Sequence, residues 1–185
     1  MHKFIVRSRS GNQLNEFSAA LVLLVMGIII PLLDLGVIPL HWILSREIIA
    51  SRVQQLAQCK TFSGAIDSLN TDSSLTEELG RLGGVKVISI KPTLVVLMTH
   101  PPYETFIAEE PKSIPTDWLP EGKRSPCEYN LEVSALIELS PLILCSGLKV
   151  DVPGLTKPLD CLIRMNSQWE NYGRDPITKQ FYMNE

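Results

Sequence analysis

The feature that most constrains this chain is a run of 17 residues, Phe17 to Leu33, without a single charge. Asp34 interrupts the run, and apolar character resumes from Leu35 to Leu44. A helix from Phe17 to Leu40 would be about 36 Å long at 1.5 Å per residue. That suffices to cross a hydrocarbon core of about 30 Å with some tilt. In lipid, only helices and closed barrels satisfy their own backbone. The run is too long for the apolar core of a cleavable secretory signal, which spans about 7–15 residues. No A-x-A-like site follows before Arg46 either. Lys3, Arg7 and Arg9 precede the run, and the first acid is Glu16, at its entrance. A carboxylate there is costly unless it is paired.

Within the run, Gly27 and Pro31 stand four apart in GIIIP. An interior proline removes a helical hydrogen bond, so a kink is expected. Asp34 lies about 27 Å beyond Glu16 at helical rise. It is expected near the outer interface, snorkelling there with His41 and Trp42. Ser45 to Leu69 reads as a second helical stretch, with Ile48, Ile49, Val53, Leu56 and Ala57 at helical spacing. It either continues the span outward as a stalk or, separated by Pro39, lies on the body. Thr61 to Gly64 should interrupt it. Ala65 to Leu69 and Ser74 to Leu82 read as short helical pieces, ended by Gly83 and Gly84.

The remainder, 85–185, is β-rich. Val85 to Ile90 and Leu94 to Thr99 read as two strands with a turn at Lys91-Pro92. Residues 100–126 form a long Pro-rich connection, expected to be solvated, with Tyr103, Phe106 and Trp118 as contact candidates. Cys127 to Leu139 alternates strictly. Tyr129, Leu131, Val133, Ala135, Ile137 and Leu139 share one face, the pattern of a half-buried antiparallel strand. Pro153-Gly154 signals a turn, Leu159 to Met165 a last strand, and the tail from Asn171 a poorly ordered end.

The N-terminal pattern is a specific one. A basic leader ends at Gly11, an acid stands five residues later at Glu16, aromatic Phe17 follows, and then the apolar helix. This resembles the prepilin-peptidase site of type IV pilin-like proteins. Within that superfamily, EFSAALVLLVMGIIIPLLDLG is similar to the N-terminal helix of TadE-like pseudopilins of tight-adherence (Flp) pilus systems. The resemblance covers roughly residues 7 to 60. It implies cleavage between Gly11 and Asn12 by a prepilin peptidase at the cytoplasmic face. It also implies an assembly role for Glu16, paired with the amine of Asn12 on a neighbouring subunit or its own chain, with Phe17 beside it. The implied partners are other pilin-like subunits through the helix, the pilus assembly platform and membrane lipid. The implied location is the bacterial cytoplasmic membrane, with the N-terminus inside and the body outside. The charge pattern alone does not orient the span, because Arg46, Arg52 and Lys60 offset the leader.

The formal charge is −3, and without Lys3, Arg7 and Arg9 it is −6 (14 basic against 20 acidic residues). No basic stripe or motif suggests nucleic acid. Cys59, Cys127, Cys145 and Cys161 would lie on the exported side, where disulfides persist. Four cysteines allow three connectivities, and spacing does not choose among them. With no CxxC, no metal site is expected. His2, His41 and His100 are the only histidines, and no hydrolase, metalloprotease or Walker motif occurs, so no catalytic residue and no cofactor is assigned.

The expected fold is therefore α+β. A single N-terminal transmembrane helix extends into a helical stalk, followed by a small exported domain with an antiparallel sheet. Its parts are a leader (1–11), the span (12–44), a helical segment (45–84) and a β-rich domain (85–185). The expected function is that of a minor pilin or pseudopilin that helps assemble or initiate a pilus used in secretion or adhesion. The alternative is an uncleaved single-pass protein whose outer domain binds a partner or ligand. A membrane-anchored enzyme is a third, weaker option.

Overall fold

The computed structural model describes residues 10–71, 73–109, 114–143 and 151–183. Helix α1 (Ser10–Leu24) runs through one π turn (Val25–Ile29) into α2 (Ile30–Ala57) without a break. The helix is about 72 Å long at 1.5 Å per residue. The π turn accounts for the proline. The N–H of Ile30 reaches back to the Val25 carbonyl, one residue further than in an α-helix. The widened turn thus lies directly before Pro31, where the regular ladder loses its donor. Pro39 is also carried inside α2. Of the two sequence readings, continuation of the first helix past Pro39 is the one observed, and the separate helix after Pro39 is not.

The outer half of that helix is not a free stalk. Ile38, Ser45, Ile49, Val53, Leu56 and Ala57 are buried along one face, at steps of three, four or seven with Ala57 adjoining Leu56. That face packs on β3 and β4. Two short helices follow, α3 (Phe62–Thr71) and α4 (Ser74–Arg81). Thr61 caps α3, its Oγ1 accepting the Gly64 N–H at 3.0 Å. Leu75 and Leu79 fix α4 in the core, and it packs on β1 and α2. Gly83 and Gly84, at φ of 68° and 73°, turn the chain from α4 into the sheet.

The sheet is antiparallel with the order β2-β1-β3-β4: β1 (Val85–Met98), β2 (Thr105–Ala108), β3 (Cys127–Leu139) and β4 (Leu159–Gln168). The alternation in β3 holds from Tyr129 to Leu139, all six inward residues being buried. The expected turn at Lys91-Pro92 is absent. β1 is one strand of 14 residues, with an irregularity between Val87 and Ser89, and Pro92 sits opposite Val133. Proline is tolerated there because β2 pairs only with Leu94 to Leu97. At Pro92, β1 pairs with β3 on one side and with none of the described strands on the other.

Two further expectations are corrected. The Pro-rich connection is not simply solvated: it contributes β2 and a short 3-10 turn (Thr116–Trp118) that buries Trp118. The Trp118 ring lies 5.8 Å from Phe106, its carbonyl accepts the Tyr129 hydroxyl at 2.6 Å, and Arg124 stacks over it at 4.6 Å. Arg124 also pairs with Glu104. Nor is the tail loose. Trp169 and Met183 are buried, Tyr172 packs edge-on against Tyr129 at 5.6 Å, and Arg174 lies over Phe181 at 4.1 Å. The last described residues fold back onto the end of the core at Tyr129.

Candidate functional site

The helix leaves the domain as an apolar rod. Every described side chain from Gln13 to Ile29 is exposed. Phe17 is 68% exposed and Leu23 73%. Among the described residues nothing covers them, yet leucine, isoleucine and phenylalanine seek cover. The helix Gln13–Ala57 is long and apolar enough to cross a membrane. Gly11 and Asn12 lie in the first turns of α1, whose described start is Ser10. The basic residues Lys3, Arg7 and Arg9 lie outside the described residues. Asn12 and Glu16 are four residues apart in α1, about one helical turn. Gly11, Asn12, Glu16 and Phe17 thus lie together in the first described turns of the helix, far along it from the residues that pack on the sheet.

Asp34 was expected to snorkel at a lipid interface. It is instead fully buried, and its Oδ1 accepts the N–H of Leu142 at 2.8 Å and of Ile143 at 3.4 Å. Its Oδ2 has no hydrogen-bond partner among the described residues. His41 is likewise turned inward and partly buried beneath the start of β1. A side chain at Gly84 would meet its ring at 3.6 Å. One turn on, the buried Ser45 hydroxyl also lacks a partner among the described residues. Trp42 alone of the three keeps its expected setting: half-exposed, with the Arg46 guanidinium 5.8 Å from its ring centre.

The domain grips this helix at both ends of α2. At the top, the Glu170 N–H donates to the Ala57 carbonyl at 3.2 Å. Lower down, the turn at Gly154 (φ 82°) abuts Ile38, so closely that a Cβ there would lie 2.7 Å from Ile38 Cδ1. Lowest is the Asp34 clasp on the loop after β3. Sequence reasoning missed Asp34 as a structural acceptor. The available signal was its phase, since Asp34, Ile38, His41, Ser45 and Ile49 follow one helical face.

Among the described residues, the histidines and cysteines of the sequence are not brought together. The register of β1 separates His41, beneath Gly84, from His100, which follows Met98, by roughly 40 Å at strand rise. Cys59, Cys127 and Cys161 are unpaired thiols, and Cys145 lies outside the described residues. A Cys127–Cys161 bridge is excluded by register. Cys161 pairs with Ile137, ten residues along β3 from Cys127 and about 33 Å away at strand rise. Burial pushes the Cys127 thiol up, with Arg124 opposing, and Cys127 donates to the Arg124 carbonyl at 3.2 Å. Burial also raises Cys161, helped by Asp160. Neither is the depressed thiol of a reactive cysteine. Among the described residues, no group of three or more His, Cys, Asp or Glu side chains could hold a metal ion.

No family model matches this chain, and neither does any curated protein or solved structure.

Proposed function

We propose that this chain is a minor pilin or pseudopilin of a tight-adherence type system, processed after Gly11 and anchored by its N-terminal helix with the folded domain outside the cytoplasmic membrane. One observation carries the reading: the exposed apolar rod and the core helix of the domain are one unbroken element. Such a rod needs two kinds of cover over its working life. In the membrane, lipid surrounds it. In an assembly, the same side chains pack against the helices of other pilin-like subunits, and no second apolar surface is required. Because the rod is rigidly continuous with α2, packing of the rods dictates how the domains are arrayed. Association is the work, and no turnover chemistry is involved.

Glu16 and the amine released at Asn12 give the association its polarity. A carboxylate near lipid gains from a cation within reach and loses without one. Processing creates that cation by freeing the Asn12 amine one turn from Glu16, on the same chain or a neighbour. In the alternative, an uncleaved anchor, no amine is freed at Asn12.

The test is the intact mass and N-terminal sequence of the protein from native membranes, beside a Gly11→Ala variant. The expected wild-type chain begins at Asn12, and the variant keeps its leader. A wild-type chain that begins at Met1 in cells with an active prepilin peptidase would refute the processing and leave an ordinary anchored domain.

A further inference from the structure

The loop after β3 ends its described part with two exposed apolar residues, Leu142 (61%) and Ile143 (48%). Their backbone N–H groups point not to water but to Asp34 on α2. The depth of Asp34 follows from the helix. From Glu16 to Trp42 is about 39 Å at helical rise, which matches a bilayer of about 40–45 Å including headgroups. Trp42, with Arg46 against its ring, is suited to the headgroup level. Asp34 then lies about 12 Å below Trp42, inside the hydrocarbon layer. The loop bound to it lies at the same depth. Next to Asp34 in the helix, Leu33 and Leu35 are exposed, so exposed apolar residues stand on both partners of the clasp. Among the described residues, the Asp151–Lys157 pair at 3.9 Å belongs to the turn that abuts Ile38, about one helical turn above Asp34.

We propose that Leu142 and Ile143 are immersed in the hydrocarbon of the outer leaflet, with the Asp34 carboxylate taking the place of water for their backbone N–H groups. The occupant of this surface is lipid, and the inference rests on the membrane-spanning reading above. Non-helical backbone survives at membrane depth only where the protein satisfies its polar groups. Oδ1 of Asp34 does this for two successive N–H groups. The clasp also gives a buried acid in an apolar helix a local purpose, since an uncompensated carboxylate at that depth is costly. The domain is thereby seated in the membrane surface rather than held above it. Its tilt relative to the bilayer is fixed at two places, the helix and the loop.

The test uses the full chain with Cys59, Cys127, Cys145 and Cys161 replaced by Ala, reconstituted in phosphatidylethanolamine/phosphatidylglycerol vesicles carrying brominated acyl chains. An environment-sensitive fluorophore is attached at Leu142→Cys or Ile143→Cys, both exposed positions outside the core. Met26→Cys on the rod and Ile177→Cys at the far end of the domain serve as references. Quenching at 142 and 143 is expected to fall within about twofold of that at 26, as hydrocarbon depth requires, with 177 unquenched. Quenching at 26 but not at 142 or 143 would overturn the immersion and leave the span intact. Absence of quenching at 26 would remove the spanning reading and this inference with it. In the Asp34→Ala background, quenching at 142 should drop while quenching at 26 is unchanged. Unchanged quenching at 142 would overturn the role given to Asp34.

Discussion

Two halves of one helix meet opposite fates. Phe17 to Leu33 and Asp34 to Ala57 are both rich in Leu, Ile and Val, and both are helical throughout. The first half buries nothing against its own chain until Ile30, and the second buries a full face under the sheet. The difference lies in polar punctuation. The first half is apolar all round, so no face is distinguished, and an all-round apolar helix needs an all-round apolar cover. In the second half, Arg46, Glu47, Gln54 and Gln55 interrupt the pattern and leave one stripe, which β3 and β4 cover. Stability of the domain should therefore be sensitive to the second half and indifferent to the first.

That contrast can be broken most directly by truncation. Ile49→Ala, at a fully buried position, should cost about 2–5 kcal/mol and markedly lower the melting temperature in detergent. Leu23→Ala, on the exposed rod, should change domain stability by less than about 0.5 kcal/mol. Equal losses would mean that the rod is buried against the domain after all.

The junction between the halves comes next. Asp34→Ala strands the N–H groups of Leu142 and Ile143 and should cost about 1–3 kcal/mol. Hydrogen exchange at those two amides should accelerate, while amides of β3 stay protected. Asp34→Asn, which keeps one acceptor oxygen, should retain most of the protection.

A smaller effect lies at the top of the domain, farthest from the rod. Tyr129→Phe removes the bond to the Trp118 carbonyl and should cost about 1 kcal/mol in a denaturant titration. Tyr129 also sharpens the comparison through pH. Burial raises its phenol, with Cys127 and Tyr172 adding to the effect, and burial raises Cys127 and Cys161 as well. A raised group holds its proton longer in the folded state than in the unfolded one. Stability is then full below the ordinary values, 9.0 for the thiols and 10.0 for the phenol, and falls as pH climbs beyond them. Melting temperature measured from neutral to alkaline pH should decline less steeply in Tyr129→Phe than in the wild type.

The smallest expected effect is at the tail. The backbone N–H groups of Ile177 and Thr178 hold Asp175 below its ordinary 3.8. The turn is supported above that value and loosens as acid protonates the carboxylate. Exchange at Ile177 and Thr178 should quicken below about pH 3.8, and Asp175→Asn should remove that dependence.

Much of this architecture was legible in the sequence. The apolar run, the stop at Gly83-Gly84 and the alternation of Cys127 to Leu139 each follow from short-range rules, because one period or one backbone geometry decides them. Pro92 misled because proline normally ends a strand. Only the extent of β2, a tertiary fact, reveals that among the described residues β1 pairs on one side alone there. Trp118 and Trp169 gave no periodic signal, since irregular chain carries them into the core. Asp34 was the largest surprise. Its partners are 108 and 109 residues away, and a charge in an apolar helix says only that some partner must exist. For the candidate site, the sequence shows the spacing of Gly11, Asn12, Glu16 and Phe17 at the start of the apolar helix, and any role for them rests on the resemblance. The clasp that seats the domain was not.

The unbroken helix is the point on which everything else turns. It is tested by a pulsed electron-electron distance measurement between spin labels at Val22→Cys and Gln54→Cys, both exposed, in the cysteine-free full chain in vesicles. A continuous helix places these positions about 48 Å apart at 1.5 Å per residue, and a single narrow distribution near that distance is expected. A shorter or broad distribution would show that Pro31 or Pro39 acts as a hinge, and that rod and domain do not move as one body.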